Sequence, residues 1–149
     1  MVGRYHADFE KFSGRIEYNP RRQQIVAVRL IIEAESLRSA IPRFDRIVAS
    51  EMLLNTAKYP QILFESDRIE AAGDGYLVTG KLTLHGVSRV VTFPFQVLPG
   101  TEAGHPAFKA AGRWIINRKE FGIIWNPVLD KGGILVGNHI TVDWQVRIP

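Results

Sequence analysis

Residues 76–97 read YLVTGKLTLHGVSRVVTFPFQV, and their alternation decides the fold. In the first half Tyr76, Val78, Leu82 and Leu84 fall on one face, with Gly80 among them. In the second, Val91, Phe93, Phe95 and Val97 do the same. Apolar residues at every second position, opposed by polar ones, predict two half-buried antiparallel strands around a turn at Leu84-His85-Gly86-Val87. Inward aromatic rings interrupted by a glycine suit a surface that encloses something better than one that only fills itself.

The pattern continues in both directions. Strand character over Tyr5–Tyr18 leads through an Asn19-Pro20 turn into Gln24–Leu37, where Val26, Val28, Leu30, Ile32 and Ala34 alternate with Arg29, Glu33 and Glu35. A third strand is predicted over Gln61–Ala71, closed by the hairpin signal Gly73-Asp74-Gly75. Beyond the central hairpin, Pro99-Gly100 through Gly104 reads as a loop. Phe108–Ile116 then places Phe108, Ala110, Gly112, Trp114 and Ile116 on one face. After Gly132-Gly133 a last strand, about Val136–Ile148, alternates Ile140, Val142, Trp144 and Val146 with Thr141, Asp143, Gln145 and Arg147. One interval has helical spacing, Arg43–Thr56, where Phe44, Ile47, Val48, Met52 and Leu53 form a stripe between Pro42 and Tyr59-Pro60. Many strands, one short helix and regular turns make this an all-β chain, an antiparallel barrel or a sandwich.

At 149 residues with 46% hydrophobic content the chain is expected to be one globular domain. Its apolar runs are too short to span a bilayer as a helix. The net charge of +4 is a mild excess of base, compatible with an anionic head group or with solubility alone. The absence of cysteine excludes disulfides, thiolate metal sites and cysteine nucleophiles. The N-terminal MVGRYHADFEKF resembles no export signal, so the chain as given is expected in the cytoplasm, or in the periplasm if a longer N-terminus precedes it.

Other chemistries find little support. Gly75–Lys81 fits the phosphate-loop spacing, but Leu82 follows the lysine and the intervening residues form a strand. His6, His85, His105 and His139 lie on separate segments without paired ligand spacing, so no metal site is expected. No serine sits in a nucleophile-elbow motif, and the carboxylates are scattered on polar faces. Arg21-Arg22 beside the Asn19-Pro20 turn is a solvated doublet, and basic residues do not interleave with aromatics, so no nucleic-acid partner is expected. Neither catalysis nor a required cofactor is indicated.

What remains is an aromatic interior. Phe64, Tyr76, Phe93, Phe95, Phe108, Trp114 and Trp144 all point inward if the strands close. A packed core is one reading, and a cavity holding an elongated apolar ligand is the other. Gly80 and Gly112 favour the second, since a missing inward side chain leaves room.

Several segments resemble the YceI-like family. They are FSGRIEYNP (Phe12–Pro20), KYPQILFESDRIE (Lys58–Glu70), YLVTGKLTLHGVSRVVTFPF (Tyr76–Phe95), INRKEFGIIWN (Ile116–Asn126) and VGNHITVDWQV (Val136–Val146). They come in the family's order and cover nearly the whole chain. The resemblance implies a bacterial, non-enzymatic, lipocalin-like barrel of about seven to eight strands. It implies an apolar tunnel holding an isoprenoid lipid, an isoprenoid quinone or a polyprenyl phosphate, for transport, storage or sensing.

Under that resemblance the apolar wall is Phe12, Phe64, Tyr76, Leu82, Phe93, Phe95, Trp114 and Trp144. Head-group contacts at the rim are Arg43 and Asp45 at the start of the helical interval and Asn117 and Arg118 at the end of a strand. An Arg/Asp pair near a helix start can equally fix the entry turn. The family's usual first strand is absent ahead of the part resembling Gly3–Phe12. The expectation is an opened barrel, a rearranged first segment, or edge pairing between two copies in a homodimer. A self-filled barrel recruiting a protein through its open edge is the main alternative. An enzyme using His85 or Asp45 on a hydrophobic substrate is a further one.

Overall fold

A computed structural model describes residues 6–124 and 137–148. Its core is one seven-stranded antiparallel sheet in the order β2 (Phe12–Asn19), β3 (Gln24–Glu33), β5 (Gln61–Ala72), β6 (Gly75–Leu84), β7 (Val87–Glu102), β8 (His105–Asn117) and β9 (His139–Ile148). A small second sheet pairs β1 (Asp8–Phe9) with β4 (Leu37–Arg38). Helix α1 (Pro42–Ala49) lies in the long connection between β4 and β5. Each strand of the main sheet pairs with its neighbour in sequence, the arrangement that period-two alternation predicts.

The sheet curls into a lipocalin-like half-barrel. Seven strands in strict up-and-down order leave β2 and β9 running in the same direction, so joining them would require a parallel pair. Among the described residues their outer edges pair with no strand. Among the described residues the expected barrel is therefore not closed by strand pairing on that side.

Hairpin chemistry accounts for the meander. His85 and Gly86 both have positive φ, 55° and 71°, as do Ala103 and Gly104, 50° and 80°. Two left-handed residues make the type of two-residue turn whose twist matches paired strands. The second turn corrects the predicted loop at Pro99-Gly100: Pro99 pairs with Phe108 and Gly100 with Ala107, so β7 and β8 extend to Glu102 and His105. The 99–104 composition reads as a loop, but cross-strand pairing overrides local propensity.

Two other boundaries differ. The strand expected over Gln24–Leu37 ends at Glu33 and passes through a 3-10 turn, Ala34–Ser36, into β4. There the buried Ser36 hydroxyl donates to the Glu33 carbonyl at 2.6 Å and accepts from the Lys11 amide at 3.0 Å. The helix ends at Ala49 rather than Thr56 because the Ser50 hydroxyl takes the Ile47 carbonyl at 2.6 Å while its own backbone is extended. Leu53 and Leu54 still reach the core, from turns rather than a helix. The predicted starts at Tyr5 and Val136 and the Gly132-Gly133 turn lie outside the described residues.

The core gathers on the concave face. Phe64, Val78, Leu82, Leu84, Phe93, Phe95, Ala110 and Ile116 are buried there, with Ile47, Val48, Leu53, Leu54, Phe121 and Ile123 packed against them. Burying each large side chain contributes about 1.5–3 kcal/mol. Tyr76, Val91, Val97, Trp114, Val142 and Trp144 belong to the same face but remain half-buried.

Candidate functional site

Six of the expected wall residues form one continuous set of rings. Phe93 stacks on Trp114, with centroids 4.8 Å apart and planes 16° from parallel. Phe64 leans on Phe93 at 5.2 Å and meets Trp114 edge-on at 6.2 Å. Trp144 contacts Phe93 at 6.1 Å and Phe95 at 5.9 Å, and Tyr76 stacks on Phe95 at 5.1 Å. Such pairs contribute about 0.5–1.5 kcal/mol each beyond area burial. Cross-strand register produces the assembly: Phe64 pairs with Leu82, Tyr76 with Phe95, Gly112 with Trp144. Leu82 is buried in the same core cluster.

The two inward glycines serve these rings rather than a ligand. A Cβ on Gly80 would strike the Glu65 carbonyl, and would lie 2.8 Å from both the Phe64 ring and the Ser66 Cα. A Cβ on Gly112 would lie 2.8 Å from the Trp144 indole nitrogen and 2.9 Å from the Pro94 carbonyl. The room inferred from their missing side chains is thus occupied by the protein's own aromatics. Sequence alone shows the gap but not the neighbour that fills it. Trp144 Nε1 is itself buried without a hydrogen-bond partner among the described residues.

The remaining expected site residues stand apart from this cluster. Phe12 lies on β2 opposite Ile32 and is 53% exposed. Asp45 accepts from the Ser39 amide at 2.9 Å and the Ser39 hydroxyl at 2.5 Å, fixing the entry to α1. The exposed Arg43 lies over the adjacent Phe44 ring at 5.1 Å. Asn117 caps the 3-10 turn Arg118–Phe121 by accepting from the Lys119 amide.

Arg118 is not at a rim. It is 1% exposed, donating from Nε to the Gly137 carbonyl at 2.8 Å and from Nη1 to the Ile123 carbonyl at 2.6 Å. Burial pulls its pKa below the usual guanidinium value. On the convex face Arg113 and Asp143 form a two-pronged ion pair at 2.7 and 3.4 Å. That pair, chiefly through its hydrogen bond, raises the pKa of Arg113 and lowers that of Asp143.

His85 Nδ1 meets the Phe121 carbonyl at 3.2 Å and its ring packs on Tyr59 at 4.7 Å, a turn-anchoring role. Gly75–Lys81 is strand, as its sequence context indicates. No group of three or more metal-ligating side chains occurs among the described residues. No helix there is long and apolar enough to cross a membrane.

Residues that alternation does not reveal also shape the site. Phe121 and Ile123 are buried against the core from a 3-10 turn and the segment after it, where period-two reading carries no signal. A cavity of about 480 Å³ opens between β7 and β8, lined by Val91, Thr92, Phe93, Pro94, Arg113, Trp114 and Ile115. A smaller one of about 250 Å³ lies over Ser13, Gly14, Arg15, Arg29 and Ile31.

Known proteins share this architecture. The YceI protein of Campylobacter jejuni superposes with a TM-score of 0.81 at 16% identity, covering 99% of this chain and 85% of that one. BcnA of Burkholderia cenocepacia gives 0.79 at 25% identity, covering 96% and 87%. In sequence, a UPF0312 protein of Yersinia pestis is 33% identical over 87 residues, 58% of this chain and 45% of that protein. Protein YceI of Escherichia coli is 31% identical over 125 residues, 79% of this chain and 63% of that protein. The chain thus spans about half to two thirds of the length of these sequence relatives. The curled meander and the ordered segments through its strands agree with a YceI-like domain match over residues 1–148, and the chain belongs to the YceI-like family.

Proposed function

We propose that the concave aromatic face binds the hydrocarbon chain of an isoprenoid lipid, without chemistry and without a cofactor. One observation carries this reading: the ring set from Tyr76 to Trp144 lies on the hollow side of a curled sheet, and Tyr76, Trp114 and Trp144 are only half-buried. A contiguous apolar surface left partly open marks a binding site more often than a finished core. Because the rings touch one another, the chain lies along their exposed faces and edges rather than between them. Each buried CH₂ contributes about 0.8 kcal/mol, so a long prenyl tail gains affinity with few polar contacts. Membership of a family known for polyisoprenoid binding supports the ligand class.

The test is lipid retention by variants. Trp114→Ala and Phe93→Ala are each expected to weaken binding of a fluorescent isoprenoid alcohol by about 1–2 kcal/mol, roughly 5- to 30-fold. Glu33→Ala should leave binding unchanged, since Glu33 pairs across the sheet with Gln61 away from the rings. Equal losses in all three would contradict the assignment.

A second reading, a homodimer joined at the β2 edge, is favoured by that edge's self-complementarity. Antiparallel pairing of two β2 strands about Ile16 would set Arg15 opposite Glu17 of the second copy and Gly14 opposite its Tyr18. The exposed Phe12 and Tyr18 would be covered in the process. Light scattering should then give twice the chain mass, reduced to a single mass by Ile16→Lys. A compact monomer at high concentration would remove this reading.

A further inference from the structure

β7 and β8 do not pair along their full lengths. Their ladder runs from Glu102 and His105 to Phe95 and Gly112, and stops. Beyond it, Val87–Pro94 pairs only with β6, and Arg113–Asn117 only with β9. The 480 Å³ cavity sits in this fork. Its lining takes in inward residues (Val91, Phe93, Trp114) and outward ones (Thr92, Pro94, Arg113, Ile115) alike, as expected where two neighbouring strands stop pairing and leave their backbones uncovered.

Pro94 supplies a physical cause. Its carbonyl lies 2.9 Å from where a Gly112 Cβ would be, so it faces β8. In an extended strand the nitrogen and carbonyl of one residue point the same way, so proline's missing N–H also falls on the β8 side. At the slit's far end β7 is tied to the 3-10 turn that follows β8, by Arg89 Nε donating to the Glu120 carbonyl at 2.9 Å.

On the outer side the lining mixes Thr92 and Arg113 with Pro94 and the 61% exposed Ile115, and Val90, the preceding outward residue of β7, is 71% exposed. The charge of Arg113 is engaged by Asp143. On the inner side the opening meets the stacked Phe93 and Trp114, members of the aromatic face itself. We propose that this slit is a lateral entrance, through which an isoprenoid hydrocarbon tail passes the sheet to reach the aromatic face, with the Phe93–Trp114 stack as its inner door. The proposal rests on the lipid reading above. Continuity between rim, slit and rings, with no unpaired charge along the way, fits a hydrocarbon better than an ion or a polar metabolite.

The chain contains no cysteine, so Thr92→Cys/Ile115→Cys provides a unique thiol pair across the slit. The double variant would be joined by a short, reducible bifunctional thiol reagent and mixed with phosphatidylcholine vesicles carrying a dansyl-labelled isoprenoid alcohol. Uptake is read by energy transfer from tryptophan to dansyl. Linking is expected to slow uptake by roughly tenfold or more, and reduction to restore the unlinked rate. Unchanged uptake in the linked form would overturn the entrance while leaving lipid binding intact, the result also expected if the slit instead captures an extended peptide. Absence of transfer in the linked, unlinked and parent proteins alike would overturn the lipid reading and the entrance with it.

Discussion

Arg118→Met is expected to destabilise the fold by about 2–4 kcal/mol, read as a lowered urea midpoint with unchanged slope. The guanidinium is buried and donates to two carbonyls, Gly137 and Ile123, on opposite sides of the β8–β9 connection. Hydrogen bonds from a charged donor contribute about 1.5–3 kcal/mol each, and the abandoned carbonyls would remain desolvated. Removing a buried charge returns part of that loss, which keeps the figure below the simple sum. Arg118→Lys should fall between the two, because an ammonium offers a point charge rather than a planar fork and cannot span both acceptors. A methionine variant within about 0.5 kcal/mol of the parent would show that the connection is held by something else.

Gly80→Ala is expected to cost about 2–3 kcal/mol, the upper part of the range for small-to-large changes in a packed core. Of the three atoms its methyl would meet, two belong to the backbone of β5, the Glu65 carbonyl and the Ser66 Cα, and cannot step aside. The third, on the Phe64 ring, is fixed by contacts with Phe93 and Trp114. Relief therefore requires separating β5 from β6, where Ser66 and Gly80 are directly paired. Gly104→Ala is the informative comparison. Nothing lies within 4 Å of its Cβ position, and only its left-handed backbone, φ 80°, resists substitution. It should cost about 1–2 kcal/mol. Thermal or urea unfolding of both variants checks the order, and a reversal would mean that β5 and β6 are less tightly joined than this packing requires.

The meander was legible because alternation reports directly on which face a strand buries. Residues 76–97 alone placed Phe93 and Phe95 inward, and the structure buries both. Phe108 shows the limit of that signal: it shares parity with Trp114, yet at the strand's far end it is half exposed. Properties set by partners rather than periods were not legible. Gly80 and Gly112 advertise missing side chains, but Phe64 and Trp144 fill them only through a register that the sequence does not print. Arg118 reads as an exposed cation at a strand end and is instead buried by a turn that folds back over it. The slit depends on a ladder stopping at Pro94, which itself looks like an ordinary member of an alternating strand.

Native mass spectrometry of the freshly purified protein tests the lipid reading most directly. A population heavier than the bare chain by the mass of one isoprenoid lipid is expected, diminished in Trp114→Ala and Phe93→Ala. A parent protein that always flies bare, even after incubation with vesicles rich in isoprenoid quinone or polyprenyl phosphate, would contradict that reading.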